Sequence, residues 1–181
     1  GEAATCNIDV SCRPDSSSES RSVARMIFVE NGSAFVCTGT LLNDAQSSST
    51  PYFLSANHCV STQAAASTVT TDWFYRSATC NTNEVNAGAQ RLYGGATLLY
   101  AEAATDTAFM RLNAAPPAGI VYAGSYFGAV VEGAGALSIH HPQGDLQKVN
   151  ESTVRQFDNC TFEGCQVSTP KDGGLLTVRL R

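Results

Sequence analysis

The chain has 181 residues, 43% apolar and only 15% charged, with sixteen acidic against eleven basic side chains and a net charge of −5. That balance excludes a nucleic-acid partner, because phosphate binding needs clustered Lys and Arg and no such cluster occurs. No apolar run reaches the roughly 18 residues of a membrane span, and the longest candidate, residues 119 to 131, is broken by Gly, Ser and Tyr, so no membrane partner is expected. Seven cysteines in a chain of this size point to an oxidising compartment. An odd number leaves at least one of them free or paired elsewhere. The chain opens on Gly1 rather than Met, which leads to the expectation of a secreted, mature form that has lost a signal and a pro-segment.

Helix signals are scarce. Short runs of β-branched and aromatic residues recur between Gly, Ser, Asn and Thr, the pattern of an all-β chain. The run "ARMIFVENGSAFVCTGTLL" predicts a hairpin, with strands over Met26–Val29 and Ala34–Leu42 and the positive-φ pair Asn31-Gly32 as its turn. Residues 44 to 51 and 61 to 68 ("DAQSSSTP" and "STQAAAST") read as surface loops on composition. Between them, Tyr52–Ser55 is a short strand ending at a histidine turn. Further strands are predicted over Val69–Arg76, Ala96–Ala101 and Thr107–Leu112. The segment "NAAPPAG" (Asn113 to Gly119) interrupts the pattern, since tandem prolines cannot join a sheet ladder. A boundary there gives two units, residues 1–115 and 116–181. Beyond it, Ile120–Phe127, Gly135–His140, Gln147–Gln156 and Leu175–Leu180 are the remaining strand candidates.

Chemistry concentrates in "YFLSANHCVS" (Tyr52 to Ser61), where His58, one of three histidines, stands against Cys59. The bare pair fits a metal site, a thiol catalyst or a stapled general base. A bridge from Cys59 back to Cys37, 22 positions earlier, would fix the turn against the hairpin, with loop closure worth roughly 3 kcal/mol. A second element is "TDTAFMRL". Asp106 stands at the edge of an apolar strand, where a carboxylate is costly to bury unless paired. Hydrogen-bonded to a histidine, it would hold the ring's tautomer and stabilise the imidazolium.

The motifs "CNIDVSC" (Cys6 to Cys12), "CTGTLLN" (Cys37 to Asn43), "YFLSANHC" (Tyr52 to Cys59), "TDTAFMRLN" (Thr105 to Asn113) and "SIHHP" (Ser138 to Pro142) follow one another in this order. Together they resemble the bacterial lysyl endopeptidase-like branch of the chymotrypsin/trypsin-type serine proteases, over essentially the whole chain. The resemblance implies a chymotrypsin-like double antiparallel β-barrel with the active site between the barrels. His58 would be the general base and Asp106 its orienting carboxylate, with Cys37–Cys59 and Cys12–Cys80 as disulfides. It also implies a peptide or protein substrate, cleavage after Lys or Arg, and no cofactor.

The nucleophile of such a triad is a serine in a Gly-x-Ser-Gly setting, where small neighbours free backbone N–H groups for an oxyanion hole. Ser47, Ser48, Ser49, Ser125 and Ser138 all lack that setting. In the family the serine follows a strand like "LLTVRL", and the sequence stops there, at Arg181. The expectation is therefore a second barrel left incomplete, with the serine on a companion C-terminal segment of the same precursor. Cys6 would pair with that segment, while Cys160 and Cys165 close a small loop on each other. The lysine-specific members carry a Trp in a second-barrel loop, whereas the single Trp here, Trp73, lies in the first half.

Other readings remain at this stage. Zinc on Cys37, His58 and Cys59 falls short of four compact ligands, so no metal is assigned. Cys59 as a thiol nucleophile requires an unpaired sulfur. His140-His141-Pro142 reads as structural, with one imidazole on each strand face. The rival in another class is a non-catalytic protease homologue serving as a secreted binding protein. Against it stands the retention of both His58 and Asp106.

Overall fold

Asn31 and Gly32 both take positive φ, 50° and 78°, in the computed structural model of the chain. This is the geometry of a two-residue hairpin turn whose twist matches its strands. The structure describes residues 7–161, 164–168 and 176–180, with side chains over 7–158 and at Gln166 and Val167. Its strands are β1 (Ile8–Asp9), β2 (Val23–Glu30), β3 (Ser33–Leu42), β4 (Tyr52–Ser55), β5 (Thr70–Trp73), β6 (Gln90–Leu92), β7 (Ala96–Glu102), β8 (Thr107–Leu112), β9 (Gly135–His140), β10 (Lys148–Thr161), β11 (Gly164–Ser168) and β12 (Leu176–Leu180).

Seven strands form one antiparallel sheet in the order β6-β5-β2-β3-β4-β8-β7. Alternation along the strands sends Met26, Phe28, Leu41, Phe53, Trp73, Ala108 and Met110 into one core, all buried. Each large side chain there contributes about 1.5–3 kcal/mol through removal from water. The Gly of the "CTGT" motif has a steric reason. A Cβ on Gly39 would lie 2.2 Å from the Phe53 ring, which packs directly on the Gly39 backbone.

The second sheet is built on β10. Its first half pairs with β1 on one edge and β9 on the other, so that Lys148 faces both Asp9 and His140. Its second half pairs with β11 and β12. The architecture is the all-β one expected, with open sheets rather than closed barrels. The second sheet takes its strands from residues 8–9 and from Gly135 onward, so the N-terminal strand belongs to it.

Several local expectations need correction. Ile120–Phe127 is not a strand: its pairing in the sheet is a single parallel bridge from Ala123 to Leu42. β2 pairs with β3 only as far as Thr40, so beyond it the end of β3, Leu41–Leu42, is left on that side for this segment to bridge. The predicted loop at 61–68 contains a helical turn, Gln63–Ala66, because Thr62 caps it by accepting the Ala65 N–H. β5 spans four residues rather than the eight of Val69–Arg76, ending where Phe74 turns to φ +53°. Strands β1, β6 and β11 were not anticipated.

Candidate active site

The register between β4 and β8 decides the geometry. Ser55 pairs with Ala108 in antiparallel sense, so the chain leaving β4 runs beside the chain entering β8. Residues 48 apart in sequence thereby become neighbours. The carboxylate of Asp106 accepts the backbone N–H of His58 at Oδ1 (2.9 Å), and His58 Nδ1 lies 2.7 Å from Oδ2. The Asn57 N–H is donated to the backbone carbonyl of Asp106, 3.1 Å away. Asp106 takes φ +46°, a left-handed conformation that Asp tolerates better than most residues.

Partial burial pushes the Asp106 carboxyl up. The hydrogen bonds from the His58 backbone and ring outweigh it, so the group is held below the usual carboxylate range. An ionised carboxylate only accepts, so the proton sits on Nδ1 and a neutral ring presents Nε2 as acceptor. The His58 side chain is 71% exposed, against 36% for Asp106, leaving the outer nitrogen open to an incoming group.

The turn bearing His58 is held from below. Cys59 is bonded to Cys37 of β3, and Cys59 and Val60 are buried. The N–H groups of Cys59 and Val60 both reach the Ala56 carbonyl at 3.1 Å, which closes the turn. Ser55 Oγ donates to the Thr38 carbonyl at 2.9 Å, tying the end of β4 to the residue after Cys37. These partners were missed in the sequence, since nothing in a serine or threonine signals which carbonyl it will meet.

Cys12 and Cys80 are also bonded, closing the N-terminal segment onto the loop after β5. Cys6 and Arg181 lie outside the described residues, as do the side chains of Cys160 and Cys165. The sulfurs of Cys37 and Cys59 and a ring nitrogen of His58 lie within 4.8 Å of one another. With both sulfurs consumed in a disulfide, one nitrogen remains as donor, too few for zinc.

The fold is that of the chymotrypsin-like serine proteases. The active form of the protease Rv3671c of M. tuberculosis superposes with a TM-score of 0.55 at 14% identity, covering 98% of this chain and 68% of that one. The scabies mite inactivated protease paralogue S-I1 superposes at 0.53 and 14% identity, over 87% and 75% of the two chains. A likeness at such low identity establishes fold alone, and an inactivated paralogue shares it. The sequence goes further. The chain belongs to the lysyl endopeptidase C-terminal-domain family, whose profile matches residues 1–172. It is 34% identical to the lysyl endopeptidase of Pseudomonas aeruginosa across 98% of its own length and 43% of the relative's, so it spans less than half of that protein.

Proposed function

We propose that this chain supplies the base and orienting acid of a secreted serine endopeptidase, His58 and Asp106, and that the nucleophilic serine comes from polypeptide outside these 181 residues. The observation that carries this reading is the double contact of His58 with one ionised carboxylate, through ring and backbone. In the reaction, the serine Oγ–H passes its proton to Nε2 of His58 while the oxygen attacks the peptide carbonyl. Asp106 accepts the Nδ1–H throughout and stabilises the imidazolium without taking the proton. The imidazolium then protonates the leaving amine, and water, activated by the same nitrogen, releases the acyl group. Residues 1–115 and 116–181 would form the two units flanking the cleft, with the N-terminal strand β1 crossing to the second. The two disulfides support an oxidising, extracellular setting.

Of the two basic side chains, lysine is the preferred residue on the acyl side of the cut. The chain carries nine arginines but only two lysines, the pattern that protects a lysine-directed protease from itself. Lys148 is hydrogen-bonded within a three-strand ladder, out of reach of a protease that needs an extended, unpaired substrate. Lys171 lies outside the described residues. The test is labelling of the full-length protein with a fluorophosphonate, followed by turnover of matched Lys and Arg peptides. Labelling of one serine and faster cleavage after Lys support the reading. No labelling leaves the chain a non-catalytic homologue, and equal or reversed rates withdraw the lysine preference.

A further inference from the structure

Between the two sheets, the turn after β9 is clamped onto the strand that carries Cys37. The N–H of His141 donates to Thr38 Oγ1 at 2.9 Å, across 103 positions of sequence. His141 is buried, and its Nδ1 lies 3.0 Å from the Asp145 carbonyl, which closes the turn on itself. Gly144 of that turn, at φ +76°, passes so close to β3 that a Cβ there would lie 3.0 Å from Val36 Cγ1. Arg25 of β2 grips the turn from the other side. It donates to the Gly144 carbonyl at 2.9 Å and to Asp72 Oδ2 at 2.6 and 2.9 Å, and it lies 3.6 Å over the Tyr75 ring.

Thr38 is thus held from two directions. Its hydroxyl meets the second sheet through His141, and its carbonyl meets Ser55, three residues before His58. Its sequence neighbour Cys37 is bonded to Cys59, one residue after His58. We propose that Thr38 and His141 are positioning residues. Through them the second sheet sets where His58 stands relative to the unit from which its serine is to come. This proposal rests on the protease reading. Thr38 is already held in the long β2–β3 ladder, opposite Arg25, so one hydroxyl contact adds little to folding. Catalysis is more sensitive, since a misplacement of about 1 Å can lower a rate roughly 100-fold.

The test uses the full-length protein and the pair Thr38→Val and Thr38→Ser. Valine keeps the shape and removes the hydroxyl, whereas serine keeps the hydroxyl. Thr38→Val is expected to lower kcat about tenfold or more, with KM within about a factor of two, and Thr38→Ser to recover most of the rate. A second pair, His141→Phe and His141→Asn, removes or retains a side-chain donor for the Asp145 carbonyl and is expected to repeat the split. Combining Thr38→Val with His141→Phe should cost no more than the worse single change, because the His141 side chain bears on Thr38 only through the turn that holds its backbone N–H. Equal kcat for the valine, serine and parent proteins, even with a lowered Tm, overturns the proposal. If the parent protein cleaves nothing, the protease reading falls separately. The strut is then judged by the His58 Nδ1–H proton in NMR spectra of the same variants. Its loss in Thr38→Val and retention in Thr38→Ser supports positioning, and its retention in both overturns it.

Discussion

His58 and Asp106 meet twice, once through the imidazole and once through the main chain, at 2.7 and 2.9 Å. The backbone contact survives any change in ring protonation, so the carboxylate stays in place while the imidazole gains and loses its proton. Asp106→Asn keeps the size of the side chain and part of the backbone contact, but its amide can force the wrong tautomer on the ring. In the full-length protein this change should lower kcat by about 10⁴-fold and leave the urea midpoint nearly unchanged. Retention of more than a tenth of the rate would remove Asp106 from its assigned role.

The Cys37–Cys59 bridge closes a loop with a sequence separation of 22. Replacing both cysteines by serine should cost about 3 kcal/mol of stability by chain entropy, measured from the urea midpoint and slope together, since the uncrosslinked unfolded chain is less compact and steepens the slope. Fluorophosphonate labelling should slow as well, because the turn bearing His58 loses its anchor to β3. A stable variant that labels at the parent rate would show that the turn holds itself.

Strands β3, β4, β8 and β9 were legible because each is a short run of mostly apolar, β-branched or aromatic residues between clear turn signals, and Asn31-Gly32 marks its hairpin directly. β6, with only Gln90, Arg91 and Leu92, carries no periodic signal and exists because β5 offers it an edge. Ile120–Phe127 shows the reverse: strand-like composition whose sheet pairing comes down to the single bridge of Ala123 with Leu42. At the site, His58 and Asp106 stood out through their motifs. The contacts of Thr38, Ser55 and Asn57 did not, because they follow from strand register rather than residue type.

Gly39 makes a steric prediction. Alanine there would place its Cβ 2.2 Å from the Phe53 ring, inside the fully buried core. Gly39→Ala should destabilise by about 1–3 kcal/mol through overpacking, and a second change, Phe53→Leu, should recover part of that loss. An unchanged urea midpoint for Gly39→Ala would contradict the packing of the two residues.

His141 makes the stability of the fold sensitive to acid. Burial is the main cause that moves its pKa down to about 4, and the Arg25 charge acts in the same direction, while the Asp145 carbonyl and Asp72 oppose it. The neighbouring His140 is pushed down by burial as well. The unfolded chain would titrate near the usual 6.5, so between those two values the unfolded state binds the extra proton and the folded state does not. Stability from this group is therefore complete above about pH 6.5, falls as pH drops toward 4, and stops falling below that. The full difference amounts to about 3 kcal/mol. Urea midpoints of the parent protein should decline across this window more steeply than those of His141→Gln, which has nothing to titrate. Parallel profiles for the two proteins would show that His141 is protonated alike in both states and that its burial is not what the structure depicts.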